Sequence, residues 1–195
     1  MAIEIQEQFC VSVPIDVVWA FLIDPKQVVS CMPGASLDEQ LDDTRFLGSI
    51  EIKLGAVKTR YKCKVKLTAV DEDAHCLRIS ADGRETGGGT MKGTLTGSLR
   101  ALPDAATEVA CDATLDLTGR IAQLGQGLVQ NVARQLFRQF AEKMRERLEA
   151  DPSTAANAVA AAKPAPPVRV LPIFLGTLGA AIASWLRRLL GRSRQ

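Results

Sequence analysis

Residues 57–67 alternate strictly between two chemical classes, and this alternation constrains the fold more than any other feature of the chain. The even positions are all cationic, whereas the odd positions are Val57, Thr59, Tyr61, Cys63, Val65 and Leu67. Successive side chains of a β-strand point to opposite faces, so a period of two predicts a strand with one covered face and one solvated face. Such a strand is typical of an antiparallel sheet that is covered on one side.

Four further stretches show the same period and predict neighbouring strands. They are residues 3–13, 45–53, 91–99 and 109–117, and the turn sequences between the strands are Gly55, Asp71-Glu72-Asp73, Gly87-Gly88-Gly89 and Pro103-Asp104. After the first stretch, helical spacing predicts two short helices. Pro14 and Pro25 begin these helices, and Cys31-Met32-Pro33-Gly34 ends the second one.

Residues 121–148 are predicted to form one long amphipathic helix. Its apolar row contains Leu128, Val132, Leu136, Phe140 and Met144, and a polar row of equal regularity lies opposite. An antiparallel sheet with one apolar face needs a cover, and we expect this helix to supply it. The sequence therefore predicts an α+β domain over residues 1–149, with a curved antiparallel sheet wrapped around a long C-terminal helix.

Small residues recur on the inward face of the predicted sheet, at Gly48, Gly93, Gly97 and Ala113. Such residues can leave a cavity between the sheet and the helix. They can equally let the helix pack closer, or mark bends in a strongly curved sheet. Both interpretations stay open from the pattern alone.

Several motifs of the domain point to a known family. They are Val13-Pro14, Val18-Trp19, Leu22, Asp24-Pro25, Val28, Cys31-Met32-Pro33-Gly34, Gly55-Ala56-Val57, Gly87-Gly88-Gly89-Thr90 and the run from Thr118 to Gly125. Over about residues 1–148 this set resembles the CoxG-like family of carbon monoxide dehydrogenase. That family belongs to the SRPBCC superfamily of START and Bet v 1-like helix-grip proteins, so the resemblance implies a helix-grip fold.

The resemblance also implies a function. Members look like non-catalytic accessory proteins of a molybdenum hydroxylase of the carbon monoxide dehydrogenase type. They anchor the enzyme at the membrane or carry quinone between the enzyme and the bilayer. It implies an open hydrophobic cavity under the last helix. We therefore expect a non-covalently bound quinone (menaquinone or ubiquinone) or a lipid, a role in electron transfer, and no covalently bound cofactor.

The inward positions predict which residues such a ligand would touch. The candidate lining consists of Trp19, Phe46, Tyr61, Met91, Gly93, Leu95, Leu115, Leu128 and Val132. The predicted mouth is Met32, Pro33 and Gly34, opposite the turns at Gly55 and Gly87.

Groups suited to catalysis or metal binding are scarce. His75, the one histidine of the chain, lies in an acidic turn where we expect contact with solvent, and the five cysteines show no CxxC spacing. The glycines at 87–89 lie between strands, with no following helix to hold a phosphate. We predict no catalytic residue and no metal site.

Aromatic residues make up 5% of the chain, which disfavours nucleic-acid binding by base stacking.

Three functions stay open at this point. The first is the ligand-binding accessory protein just described. The second is a membrane anchor or assembly factor that binds no ligand. The third is a polyketide cyclase-like enzyme, which needs polar groups clustered inside the cup, and there the inward positions offer Tyr61, Thr59 and the cysteines.

The C-terminal residues differ in composition from the domain. Residues 150–170 are rich in Ala and Pro and predict an exposed linker. Residues 171–195 predict a hydrophobic, basic-ended tail helix, whose uncharged part ends at Leu186. That part would be about 24 Å long as a helix, short of the roughly 30 Å hydrocarbon core, and four arginines follow it. We therefore expect an interfacial anchor rather than a span; docking on a partner enzyme is the alternative.

The predicted anchor makes the tail the membrane-associating part of the chain. Its candidate contact residues are Phe174, Leu175, Leu178, Ile182, Trp185, Leu186, Arg187 and Arg188. The chain shows no secretory signal at Met1–Glu7 and no cysteine pattern of a disulfide scaffold. We therefore expect a cytoplasmic protein that is peripheral on the inner face of the cell membrane.

Overall fold

A computed structural model describes residues 1–54 and 57–150. The described part contains β1 Ala2–Val11, α1 Ile15–Leu22, α2 Pro25–Cys31, β2 Ala35–Gln40, β3 Arg45–Leu54, β4 Val57–Asp71, β5 Cys76–Glu85, β6 Thr90–Ala101, β7 Thr107–Leu117 and α3 Gln126–Ala150. The linker and tail predicted beyond Ala150 lie outside the described residues, as does the Gly55 turn.

The strands form one antiparallel sheet in the order β1-β7-β6-β5-β4-β3-β2. The predicted faces of β4 are confirmed, because the odd residues Thr59 and Tyr61 are buried whereas the even residues are exposed. Ile3 of β1 and Tyr61 of β4 belong to the same buried cluster although three strands separate them in the sheet. The sheet is therefore curved into a cup, as expected for a helix-grip fold.

Two buried clusters fill the two ends of the cup. The helical-end cluster joins α1 and α2 to the C-terminal half of α3, through residues such as Val18, Trp19, Phe140 and Met144. The opposite cluster, which we call the Tyr61 cluster, contains Ile3, Ile5, Tyr61, Leu117, Ile121 and Val129. The apolar core is thus divided, and the middle of the inward sheet face is only partly covered, as at Ile50, Val65 and Ile79.

The start of the long helix differs from the prediction. Residues 122–124 form a separate 3₁₀ turn, and α3 begins at Gln126 rather than at Ile121. Gly125 stands between them with φ +88°, a left-handed conformation that interrupts the helix and that glycine adopts without strain. Pro14 also differs, since it precedes α1 as its N-cap and accepts hydrogen bonds from the Val17 and Val18 amides at 3.1 and 3.3 Å.

Candidate functional site

The apolar row of α3 is covered at one end and open at the other. Phe140 and Met144 are buried, Val132 and Leu136 are partly exposed, and the Leu128 residue is 48% exposed. The helical-end cluster packs on the C-terminal half of α3. The N-terminal half therefore presents an apolar surface that the described part of the domain leaves accessible.

A cleft of 310 Å³ lies along this accessible half. Its walls are Val132, Gln135, Leu136 and Gln139 of α3, the Glu51–Leu54 end of β3, and Pro33 and Gly34. Pro33 and Gly34 were predicted as the mouth, and they do line this opening. Met32, the third mouth residue, packs instead against the helical-end cluster.

The other predicted lining residues are distributed over the two ends of the cup. Trp19 and Leu95 belong to or pack on the helical-end cluster, whereas Tyr61, Met91 and Leu115 belong to or pack on the Tyr61 cluster. Phe46 is buried, and Val132 lines the cleft. The structure thus brings Val132 to the predicted mouth but places the remaining residues around rather than in the 310 Å³ cleft, and their contact with a ligand stays a prediction.

Two of the inward glycines are explained by close packing rather than by empty space. A Cβ at Gly93 would lie 2.6 Å from Cδ2 of Leu115, so the Leu115 side chain already fills that position. A Cβ at Gly48 would lie 2.6 Å from the Ser36 carbonyl oxygen of β2. Gly48 and Gly93 therefore let neighbouring atoms pack closely and do not mark a cavity. The accessible space lies beside α3 instead.

A buried polar cluster lies at the end of β4 and β5, and sequence reasoning missed its central residue. Glu85 points inward with a side chain that is 2% exposed. It accepts a hydrogen bond of 2.7 Å from the Thr59 hydroxyl and one of 3.3 Å from Nη2 of Arg120. The signal was present in the sequence, because the inward period of β5, from Leu77 through Ile79 and Gly83, ends on Glu85.

The glycine motifs make room for this polar cluster. A Cβ at Gly89 would lie 2.5 Å from Oε2 of Glu85 and 2.8 Å from the Thr118 carbonyl oxygen. A Cβ at Gly119, whose φ is +82°, would lie 3.2 Å from Oε2 of Glu85. A Cβ at Gly87 would clash with the Arg120 guanidinium. The glycines at 87–89 are therefore a packing feature around a buried carboxylate, which agrees with the prediction that they form no phosphate loop.

Two atoms of this region lack hydrogen-bond partners among the described residues. They are Oη of Tyr61, whose side chain is fully buried, and Oε2 of Glu85. Burial raises the pKa of Tyr61, and the nearby Glu85 charge raises it further, so the phenol stays protonated at neutral pH. A second cleft, of 220 Å³, opens onto Thr59, Glu85 and Arg120 and is rimmed by Lys58 and Arg60.

Two cysteine thiols and the metal-ligating side chains complete the description of this part of the chain. Burial raises the pKa of Cys63 and raises that of Cys111 to about 11, so both thiols are protonated at neutral pH. No three metal-ligating side chains converge within residues 1–54 and 57–150. None of the helices described is both long and apolar enough to cross a membrane.

Solved structures of low sequence identity share this fold. A conserved protein from Geobacillus kaustophilus matches with a TM-score of 0.70 and 20% identity, over 76% of this chain and 96% of that one. A START superfamily protein from Mycobacterium smegmatis matches with a TM-score of 0.54 and 12% identity, over 75% and 97%. Ara h 8.0201 matches with a TM-score of 0.52 and 14% identity, over 77% and 100%. At these identities the likeness shows the helix-grip fold alone.

Sequence comparison identifies the family directly. No curated protein matches the sequence. The family model for CoxG of carbon monoxide dehydrogenase matches residues 8–149, which is well over half of the chain. The match extends from the middle of β1 to the last turn of α3, so it includes both clefts and confirms the resemblance seen in the motifs. The chain belongs to the CoxG family of carbon monoxide dehydrogenase.

Proposed function

We propose that this chain is a non-catalytic accessory protein that binds a hydrophobic ligand, a quinone or a lipid, in the cleft between α3 and β3. The observation that carries the proposal is the accessible apolar row of α3 at Val132 and Leu136, which faces Ile52 and Leu54 across the cleft. Ligand sites are typically concave, apolar and roughly 300 Å³ or larger. At 310 Å³ this cleft lies at the lower end of that range, and Glu51, Lys53, Gln135 and Gln139 add polar groups to its apolar walls.

The proposed partner is a molybdenum hydroxylase of the carbon monoxide dehydrogenase type, after the name of the family. The outer face of β4 supports a docking role, since its five cations are exposed. Lys58 is paired with Glu51 at 3.2 Å, but Arg60, Lys62, Lys64 and Lys66 form no ion pair with any described residue. Arg84 stands beside Lys62 and enlarges the positive surface, whereas Asp82 stands beside Lys64 and Arg45 is paired with Asp42 at 2.6 Å. Such a surface would attract an acidic protein.

The membrane part of the proposal rests on the sequence of the tail. The uncharged stretch ending at Leu186, followed by Arg187 and Arg188, is suited to an anionic membrane interface. We propose that the tail holds the domain on the inner face of the cell membrane, where it recruits the enzyme or exchanges quinone with it.

A second candidate function is a polyketide cyclase-like enzyme. The buried Tyr61 phenol and Glu85 carboxylate favour it, because they are the polar groups inside the cup that such chemistry requires. The accessory role is preferred, because the Tyr61 phenol is protonated and lies in an apolar cluster. The raised pKa values of Cys63 and Cys111 also leave these two thiols unactivated.

Extraction of the native ligand tests the proposed function. The full-length protein is purified from its own membranes in mild detergent, and the organic extract is analysed by mass spectrometry. We expect a quinone or lipid in stoichiometric amount from the wild type, and a much smaller amount from Val132→Trp, which fills the cleft. Glu142→Trp, on the exposed opposite row of α3, is the matched control. An extract without such a molecule supports the ligand-free anchor instead.

A further inference from the structure

The Tyr61 hydroxyl and the Glu85 carboxylate are close neighbours in the sheet. The two residues are direct cross-strand partners of β4 and β5, and both point inward. The Cβ atoms of such a pair are on the order of 5 Å apart. The Glu85 charge acts on the Tyr61 hydroxyl, which places the two groups in the same region. Each side chain nevertheless ends in a buried atom that has no hydrogen-bond partner among the described residues.

Leaving such groups unpaired is costly. An unsatisfied buried donor or acceptor shifts an equilibrium by roughly 5- to 150-fold against the state that contains it. Native proteins leave few such atoms, and those that persist call for a physical explanation. Here a hydroxyl that needs an acceptor and a carboxyl oxygen that needs a donor belong to residues that are cross-strand partners.

One chemical group satisfies both needs at once. A ligand hydroxyl can accept a hydrogen bond from Oη of Tyr61 and donate one to Oε2 of Glu85. A carbonyl or ether oxygen can only accept, so it would leave the carboxylate oxygen unpaired. The raised pKa of Tyr61 keeps its phenol a donor at neutral pH.

The surroundings define the rest of the ligand. Around Tyr61 the neighbours are apolar, including Ile5, Leu117 and Val129. The 220 Å³ cleft reaches Glu85 and Thr59 past the cationic rim of Lys58 and Arg60, and Tyr61 does not line it. The part of a ligand that lies against Tyr61 is therefore apolar except for its hydroxyl group.

We propose that Tyr61 and Glu85 form the polar end of a ligand site that selects apolar molecules bearing a hydroxyl group, such as phenols, hydroquinones or alcohols. This inference rests on the proposed ligand-binding function and adds the functional group that Tyr61 and Glu85 recognise. Thr59 and Arg120 act as positioning residues, since both hold Oε1 of Glu85 and so leave Oε2 for the ligand.

A pair of probes that differ only at the oxygen tests the proposal. The full-length protein is titrated by fluorescence with 2-naphthol and with its methyl ether, 2-methoxynaphthalene. We expect 2-naphthol to bind about 10-fold more tightly or better, the gain from pairing buried polar groups. Tyr61→Phe and Glu85→Gln should each bring the ratio of the two affinities close to one and leave the affinity for the ether unchanged. Glu108→Gln is the matched control, because Glu108 pairs with Arg100 on the outer face at 2.9 Å.

The titration separates a failure of the polar end from a failure of the proposed ligand-binding function. Equal binding of both probes by the wild type, or a preference that survives in both variants, overturns the polar end but leaves the apolar site intact. Binding of neither probe contradicts the proposed function together with this inference.

Thermal stability of the ligand-free protein gives an independent readout. Tyr61→Phe removes an unpaired hydroxyl, so its melting temperature should equal or exceed that of the wild type. A clear decrease would show that Tyr61 donates directly to Glu85 in solution, and the proposal would then be wrong.

Discussion

At the scale of single residues, the polar cluster shows what alternation can and cannot predict. Period two placed Thr59 and Tyr61 on the inward face, and the structure confirms this. The same period would place Glu85 inward, but Glu85 was not predicted, because a charged residue at the end of a strand is normally solvated. Its burial depends on Arg120, which is distant in sequence and is brought close by the loop after β7. A pairing between residues so far apart in the sequence does not appear in a periodic pattern.

Gly89 is predicted to be essential for the packing of Glu85. Gly89→Ala places a methyl group against Oε2 of Glu85 and the Thr118 carbonyl oxygen, and overpacking of this kind costs about 1–3 kcal/mol in the free energy of unfolding. Gly127→Ala is the control, since nothing lies within 4 Å of its Cβ in α3. We expect that change to be neutral or to stabilise by up to about 1 kcal/mol. Urea unfolding measures both, and equal effects would contradict the packing described.

Cys111 predicts a dependence of stability on alkaline pH. The pKa of Cys111 in the folded protein is about 11, above its ordinary value of 9.0. The stability contributed by this protonated thiol is therefore complete below pH 9 and is lost as the pH rises towards 11. A shift of this size corresponds to about 2–3 kcal/mol. Cys111→Val lacks this term, so its free energy of unfolding relative to the wild type should rise between pH 9 and 11. A difference independent of pH would show that the thiol is not shielded.

At the scale of elements, α3 has two functional halves in one continuous apolar row. We expect Leu148→Ala, at a buried position, to destabilise the domain by about 2–5 kcal/mol. Leu128→Ala, at a 48% exposed position, should change stability by less than about 0.5 kcal/mol. Binding of a prenylated naphthoquinone should be weakened by Leu136→Ala, because Leu136 lines the cleft, and left unchanged in folded Leu148→Ala protein. An equal loss of stability for Leu148→Ala and Leu128→Ala would mean that the row is uniformly buried.

The outer face of β4 is predicted to govern association with the partner enzyme. The double variant Lys62→Glu, Lys64→Glu should bind purified carbon monoxide dehydrogenase at least about 10-fold more weakly at low salt, and the difference should shrink as salt rises. Lys143→Glu, on the exposed row of α3, is the matched control. Biolayer interferometry measures these affinities. Unchanged binding by the double variant would exclude this face as the docking surface.

At the scale of the whole molecule, a curved antiparallel sheet under a long helix was predictable from periodicity and turn residues, although no stretch was assigned to β2 or β5. The location of the accessible space was not. The inward glycines suggested space over Gly93, where Leu115 lies instead, and the cleft is found beside Val132. Empty space depends on how closely a helix packs on a sheet, and here the buried residues form two separate clusters. A one-dimensional pattern records which face is apolar but not whether it is covered.

The central claim is that the cleft between α3 and β3 holds a hydrophobic ligand, and titration of a cleft-filling variant tests it most directly. The full-length wild type, Val132→Trp and the control Glu142→Trp are titrated with a prenylated 1,4-naphthoquinone by isothermal calorimetry. Occupation of the cleft predicts saturable binding by the wild type and the control, and a loss of at least about 10-fold in Val132→Trp. Equal affinity of all three proteins, or no binding by the wild type, would contradict the claim.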